Sequence, residues 1–217
     1  MRMAGTCGAS LLLCLAVSLA SGRAAAAAPT VSADFAGRAA SAETREMADR
    51  IVASGDNQGL PFIIVDKIAA TAFAFADHGR LLGASPVLLG LTVGDVSPPG
   101  IGSRKLRDIG PGDRITPSGR FVASLGADLG KQDVLWVDYD AAISLHRVFT
   151  GKPSERRLAR LATPAAGDNR ISYGCINAPV EFYDRVIHPL FFGTSGIVYI
   201  LPDRQSLAEA FPGLFRT

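Results

Sequence analysis

Cys175 stands in the run RISYGCINAP (170–179), and the 217-residue chain has only two other cysteines, Cys7 and Cys14. A thiol attacks as its thiolate, so a nucleophilic cysteine needs surroundings that favour the anion and a partner that takes its proton. Gly174 lets the backbone turn sharply and offer N–H groups to a developing oxyanion. Pro179 suits a first helical position. The sequence therefore places Cys175 just ahead of a helix N-terminus, where unpaired N–H groups and the helix dipole stabilise negative charge. Asn177 caps that helix, orients the loop, or does both. The bland alternative, a small buried apolar filler, is the commoner fate of a lone cysteine.

An imidazole is the usual partner of such a thiol, and the chain has three histidines. His78 falls in a hairpin turn and reads as an ordinary turn residue. His188 lies on the helix after Cys175, which puts its ring on the order of 20 Å away. His146 ends a β run whose next ordered element is the cysteine loop. Taken alone, His146 reads more readily as a satisfied core histidine than as a base.

The elements that must position these residues begin after an N-terminal segment of a different kind. Arg2, the apolar run Leu11–Ala20 and the small residues Ala24–Ala28 follow the order of a secretory signal peptide. The apolar run is short of the roughly 20 residues needed to span a bilayer. Residues 1–28 are thus expected to be cleaved on export, leaving no stable membrane anchor. Cleavage would remove Cys7 and Cys14, so Cys175 would have no intramolecular disulfide partner in an oxidising compartment. It would also remove Arg2 and Arg23 from the 22 Lys and Arg, leaving 20 against 20 Asp and Glu. That balance lacks the basic footprint of a nucleic-acid binder.

Residues 29–60 read as an extension with one short helix over Ser41–Ser54, stopped by Gly55. From Pro61 the period becomes that of strands: FIIVD (62–66), TAFAFA (71–76), LLGASPVLL after a turn at Asp77–Arg80, VLWVDY (134–139), AISLHRV (142–148) and IVYIL (197–201). Gly94–Gly119 is rich in Gly and Pro and reads as loop, closed by ITPSGRF (115–121). A helix is expected from Pro179 to about Leu190. The pattern predicts a mainly β domain over 61–202 and a tail over 203–217.

The order FIIVDK, TPSGRF, AISLHRV, ISYGCIN, helix, IVYIL resembles the L,D-transpeptidase catalytic domain of the YkuD type, which cross-links peptidoglycan. The resemblance covers about Pro61 to Pro202. Its most specific pieces are Ser-x-Gly-Cys-x-Asn at Ser172–Asn177 and the upstream histidine at a strand end, with Thr-Pro-x-Gly-x-Phe in support. It implies a YkuD-like β-sandwich, with one helix after the cysteine loop and a short N-terminal helix. Cys175 would be the nucleophile and His146 its general base and later acid, oriented by a backbone carbonyl, here that of Arg147. Ser172, Tyr173, Gly174 and Asn177 would support the loop and the oxyanion. The implied partners are stem tetrapeptides of the periplasm or cell wall, from which D-Ala leaves as a thioester forms, and carbapenems that acylate the thiol. No metal or organic cofactor is implied.

Two departures stand out. The family loop is usually Ser-His-Gly-Cys, whereas Tyr173 holds the histidine's place; a phenol with a reference pKa of about 10 does not switch charge near neutrality. The interval between His146 and Ser172 is also longer than is usual in the family. The surplus falls around KPSERRLAR, where Lys152, Arg156, Arg157 and Arg160 are candidates to meet substrate carboxylates, or form a solvated basic loop. Two other functions remain open: a wall-binding protein that has lost turnover, and a carboxypeptidase or endopeptidase that uses water as acceptor.

Overall fold

The run Phe62–Val65 shows no polar alternation because both of its faces are buried. Ile63 and Val65 join one apolar cluster, while Phe62 and Ile64 join a second on the opposite face. The computed structural model that shows this describes residues 1, 32–128, 130 and 132–216. The expected signal segment therefore lies outside the described residues, apart from Met1.

In chain order the elements are α1 (Ala42–Ser54), β1 (Phe62–Asp66), β2 (Thr71–Phe75), β3 (Leu81–Pro86), β4 (Leu89–Gly90), β5 (Gly119–Ala127), β6 (Asp133–Asp138) and β7 (Ile143–Arg147). Then come α2 (Arg157–Ala162), β8 (Arg170–Ser172), β9 (Ile176–Ala178), α3 (Val180–Phe182), α4 (His188–Phe191), β10 (Ser195–Ile200), α5 (Leu207–Ala210) and α6 (Pro212–Phe215). A π-helical turn, Tyr183–Ile187, joins α3 to α4. Between β4 and β5 the chain makes three short 3₁₀ turns and one isolated bridge, Thr92 to Ile115.

The domain is mainly β. Eight strands form one mixed sheet in the order β3-β2-β1-β10-β5-β6-β7-β9, and β4 pairs with β8 in a two-stranded sheet. The pairs β1–β10 and β7–β9 are parallel. Phe182, Tyr183, Ile187 and Phe191 of the helical segment cover one face of the large sheet. Met47, Ala48 and Ile51 of α1 cover the other. Ser41 caps α1 by accepting from the Thr44 N–H, and Gly55 ends it in the left-handed conformation.

The boundaries expected at 60 and 202 do not separate packing units. Phe35 and α1, before the first, share a buried cluster with β1, β2 and β10. Phe211, beyond the second, belongs to the same cluster.

Candidate active site

In the parallel β7–β9 ladder His146 is the register partner of Asn177, so their side chains stand side by side on one face. The two-residue strand period adds Ser144 to that face and turns Leu145 into the core. The thiol of Cys175 reaches this row: its Sγ lies 3.7 Å from the Ser144 hydroxyl and 3.6 Å from the Ala142 carbonyl oxygen.

The imidazole is fixed by its other nitrogen. Nδ1 lies 2.7 Å from the carbonyl oxygen of Arg147, which can only accept, so Nδ1 carries a proton. Nε2 is left to exchange a proton with the thiol. The Asn177 amide approaches Nε2 at 3.4 Å and donates to the Cys175 carbonyl at 3.2 Å. Burial disfavours the charged form of each partner, yet each is shifted toward its ion. The imidazole pKa is raised and the thiol pKa lowered, because the attraction between the two groups outweighs desolvation. The Ser144 contacts help lower the thiol further.

The loop carrying the thiol is tightly bonded to itself and to its neighbours. The buried Ser172 hydroxyl donates to the Cys175 carbonyl (2.6 Å) and accepts from the Gly174 N–H (3.0 Å). Gly174 has φ 132°, and a Cβ there would lie 2.8 Å from the Ile115 carbonyl oxygen. Only glycine fits that position without strain. Its N–H is committed to Ser172, so an oxyanion needs other donors.

Two expectations change. Cys175 does not abut a helix: β9 intervenes, and α3 begins only at Val180. Thiolate stabilisation therefore comes from His146 and Ser144, without a helix dipole. Asn177 lies within β9 and caps no helix; its side chain is spent on the site.

The four basic residues of the insertion do not form one free cluster. Arg157 pairs with Glu155 and donates to the Asn177 carboxamide oxygen, which places it beside the thiol–imidazole pair. Arg160 donates to the Glu155 and Asp168 carbonyls and so holds the insertion together. Lys152 and Arg156 are exposed. The side chain of Arg147 points away to Asp133 and Asp184, so only its carbonyl serves His146.

Sequence reading missed three neighbours. Ser144 was accessible from the strand period, two residues before His146. Thr116, inside TPSGRF, donates to the Gly174 carbonyl at 2.7 Å. Arg114 gave no local signal; its guanidinium stacks on Tyr173. The remaining histidines lie elsewhere: His78 is exposed beside Asp77, and His188 is near Asp133. Among the described residues no His, Cys, Asp and Glu side chains converge as a metal site, and no helix is long and apolar enough to cross a membrane.

No protein-family model matches the chain, and no curated protein does. Solved structures resemble it in part, among them the following three. The helical cell shape determining protein Pgp2 from Campylobacter jejuni is 13% identical, with a TM-score of 0.43 over 67% of this chain and 49% of its own. An L,D-transpeptidase from Mycobacterium smegmatis is 17% identical, with a TM-score of 0.35 over 65% and 58%. The catalytic domain of the Enterococcus faecium L,D-transpeptidase is 16% identical, with a TM-score of 0.36 over 64% and 95%. The chain thus spans about half the length of Pgp2.

Proposed function

We propose that the protein is an exported, cysteine-dependent L,D-transpeptidase of the cell wall. One observation carries this reading: the Cys175 thiol reaches the β7 face that carries Ser144 and His146, the His146 ring is held at Nδ1–H by the Arg147 carbonyl, and the imidazole pKa is raised while the thiol pKa is lowered. The resemblance of the Ser172–Asn177 and Thr116–Phe121 motifs to those of L,D-transpeptidases supports stem tetrapeptides as the substrate class.

In this mechanism the thiolate attacks the carbonyl between the third stem residue, a diamino acid, and the terminal D-Ala. His146 gives its Nε2 proton to the departing D-Ala nitrogen as the C–N bond breaks, leaving a thioester on Cys175. The amine of a second stem then attacks the thioester and loses a proton to His146. The thiolate leaves, and a cross-link joins the third residues of two stems. Water in place of the amine gives the tripeptide. A carbapenem acylates the same sulfur through its strained lactam carbonyl.

The test incubates the purified protein with a disaccharide tetrapeptide and resolves the products by mass spectrometry, beside Cys175→Ala and His146→Ala. A cross-linked dimer with loss of D-Ala is the expected product. Tripeptide alone reassigns the enzyme as a carboxypeptidase. Absence of any Cys175-dependent product refutes both and leaves a wall-binding role, which muropeptide binding then reads directly.

A further inference from the structure

Lys67 is a fully buried lysine outside the reacting residues, and its ammonium is completely engaged. Nζ donates to the Gly94 carbonyl (2.6 Å), the Asp95 carboxylate (2.9 Å) and the Thr116 carbonyl (2.9 Å), and it lies 3.3 Å from the Asp203 carboxylate. Asp203 also takes Arg170 at 2.6 Å, and the same Arg170 nitrogen donates to the Lys67 carbonyl. Asp95 in turn accepts the backbone N–H groups of Asp203, Arg204 and Gln205. Two cations and two carboxylates thus form a balanced buried cluster. Buried ion pairs contribute little net stability relative to apolar packing, so the position of the cluster matters more than its strength.

Its connections converge on the cysteine loop from both sides of Tyr173. Arg170 opens β8, the strand that leads into the loop. Thr116, whose carbonyl Lys67 holds, donates its hydroxyl to the Gly174 carbonyl and accepts from the Gly90 N–H. The peptide unit that precedes Cys175 is therefore suspended from Lys67 through a single threonine. Displacing this peptide unit moves the thiol relative to His146, which is carried on β7.

Resting on the transpeptidase reading of the site, we propose that Lys67 and Thr116 are positioning residues that set the thiol against the imidazole. The decisive test compares Thr116→Val, Thr116→Ser and Lys67→Met in the full chain. The readout is the pH dependence of Cys175 alkylation by iodoacetamide, with folding checked by near-UV circular dichroism. Thr116→Val removes the donor while keeping the shape, and raises the alkylation midpoint by about one pH unit, or roughly tenfold in rate at neutral pH. Thr116→Ser restores the wild-type profile, and Lys67→Met shifts it as Thr116→Val does. D-Ala release follows in kcat with KM little changed.

A folded Thr116→Val that alkylates along the wild-type profile overturns the proposal; should Lys67→Met fail to fold, the two threonine variants still decide. Alkylation needs no stem peptide. A protein that shows these shifts but releases no D-Ala refutes the transpeptidase reading and leaves the positioning role standing.

Discussion

The guanidinium carbon of Arg114 lies 3.9 Å from the centre of the Tyr173 ring, so the residue that replaces the loop histidine of the resembling family carries a stacked, permanent cation. The ring face makes this contact, and no hydrogen bond of the phenol hydroxyl is found among the described residues. The stack orders the loop just before the nucleophile and places a guanidinium over the ring face.

Tyr173→Phe keeps the ring face and is expected to hold kcat/KM for D-Ala release within about threefold, whereas Tyr173→Ala and Arg114→Ala each lower it by about three- to tenfold, the range of a cation–π contact of about 0.5–1 kcal/mol with some added loop disorder. Tyr173→His is expected to give no large gain. A loss in Tyr173→Phe as deep as that in Tyr173→Ala moves the role to the hydroxyl, and a large gain in Tyr173→His marks the native site as impaired.

Much of this was legible in the sequence because it follows local rules. α1 is signalled by Ser41, Gly55 and apolar helical spacing, and FIIVD by its continuous apolar run. The loop from Ser172 to Cys175 declares itself by residue type. What was not legible depends on pairing between distant segments. β9 is only three residues long, and its existence is fixed by the parallel register with β7, so the sequence placed Cys175 against a helix instead. Arg157 looked like a free cation because its partners, Glu155 and Asn177, are chosen by the fold of the insertion. Lys67 reads as an ordinary strand-end lysine until Asp95 and Asp203 close over it from segments far along the chain.

The opposed shifts of Cys175 and His146 fix the sign of the pH response. A lowered thiol pKa and a raised imidazole pKa open a window in which the ion pair is populated. Alkylation of Cys175 should rise through a midpoint below the reference value of about 8.5 for a free cysteine. In His146→Ala only the Ser144 contacts still oppose the burial of the thiol, so the midpoint rises. Measured by iodoacetamide kinetics, an unchanged midpoint in His146→Ala excludes the pair as the source of thiolate.

Arg157 acts on the same pair from the side. Its charge lowers the imidazole pKa, opposing the larger effect of the thiolate, and its guanidinium holds the Asn177 amide toward Nε2. Arg157→Met should therefore lower kcat by about tenfold, as expected when one charge-assisted hydrogen bond is lost. It should also move the alkaline limb of the kcat profile to higher pH, since the imidazolium is then less disfavoured. Lys152→Met and Arg156→Met leave both parameters near wild type. A rise in KM with kcat unchanged in Arg157→Met assigns the residue to substrate binding instead.

The buried cluster behind the loop makes its own prediction for acid stability. Asp95 is desolvated, which alone would raise its pKa, but the N–H groups of Asp203, Gln205 and Arg204 and the Lys67 ammonium together lower it to about 2. A carboxylate whose pKa is depressed in the folded state contributes stability above its unfolded pKa, and this is lost as pH falls through the folded value. With an ordinary value of 3.8, the contribution at neutral pH is about 2 kcal/mol. Urea unfolding should lose most of this amount at Asp95 between pH of about 4 and 2. Asp95→Asn should be less stable at neutral pH, because Lys67 loses a counter-charge, yet show a shallower decline over the same interval. Acid limbs that run parallel in the two proteins place the acid sensitivity at carboxylates other than Asp95.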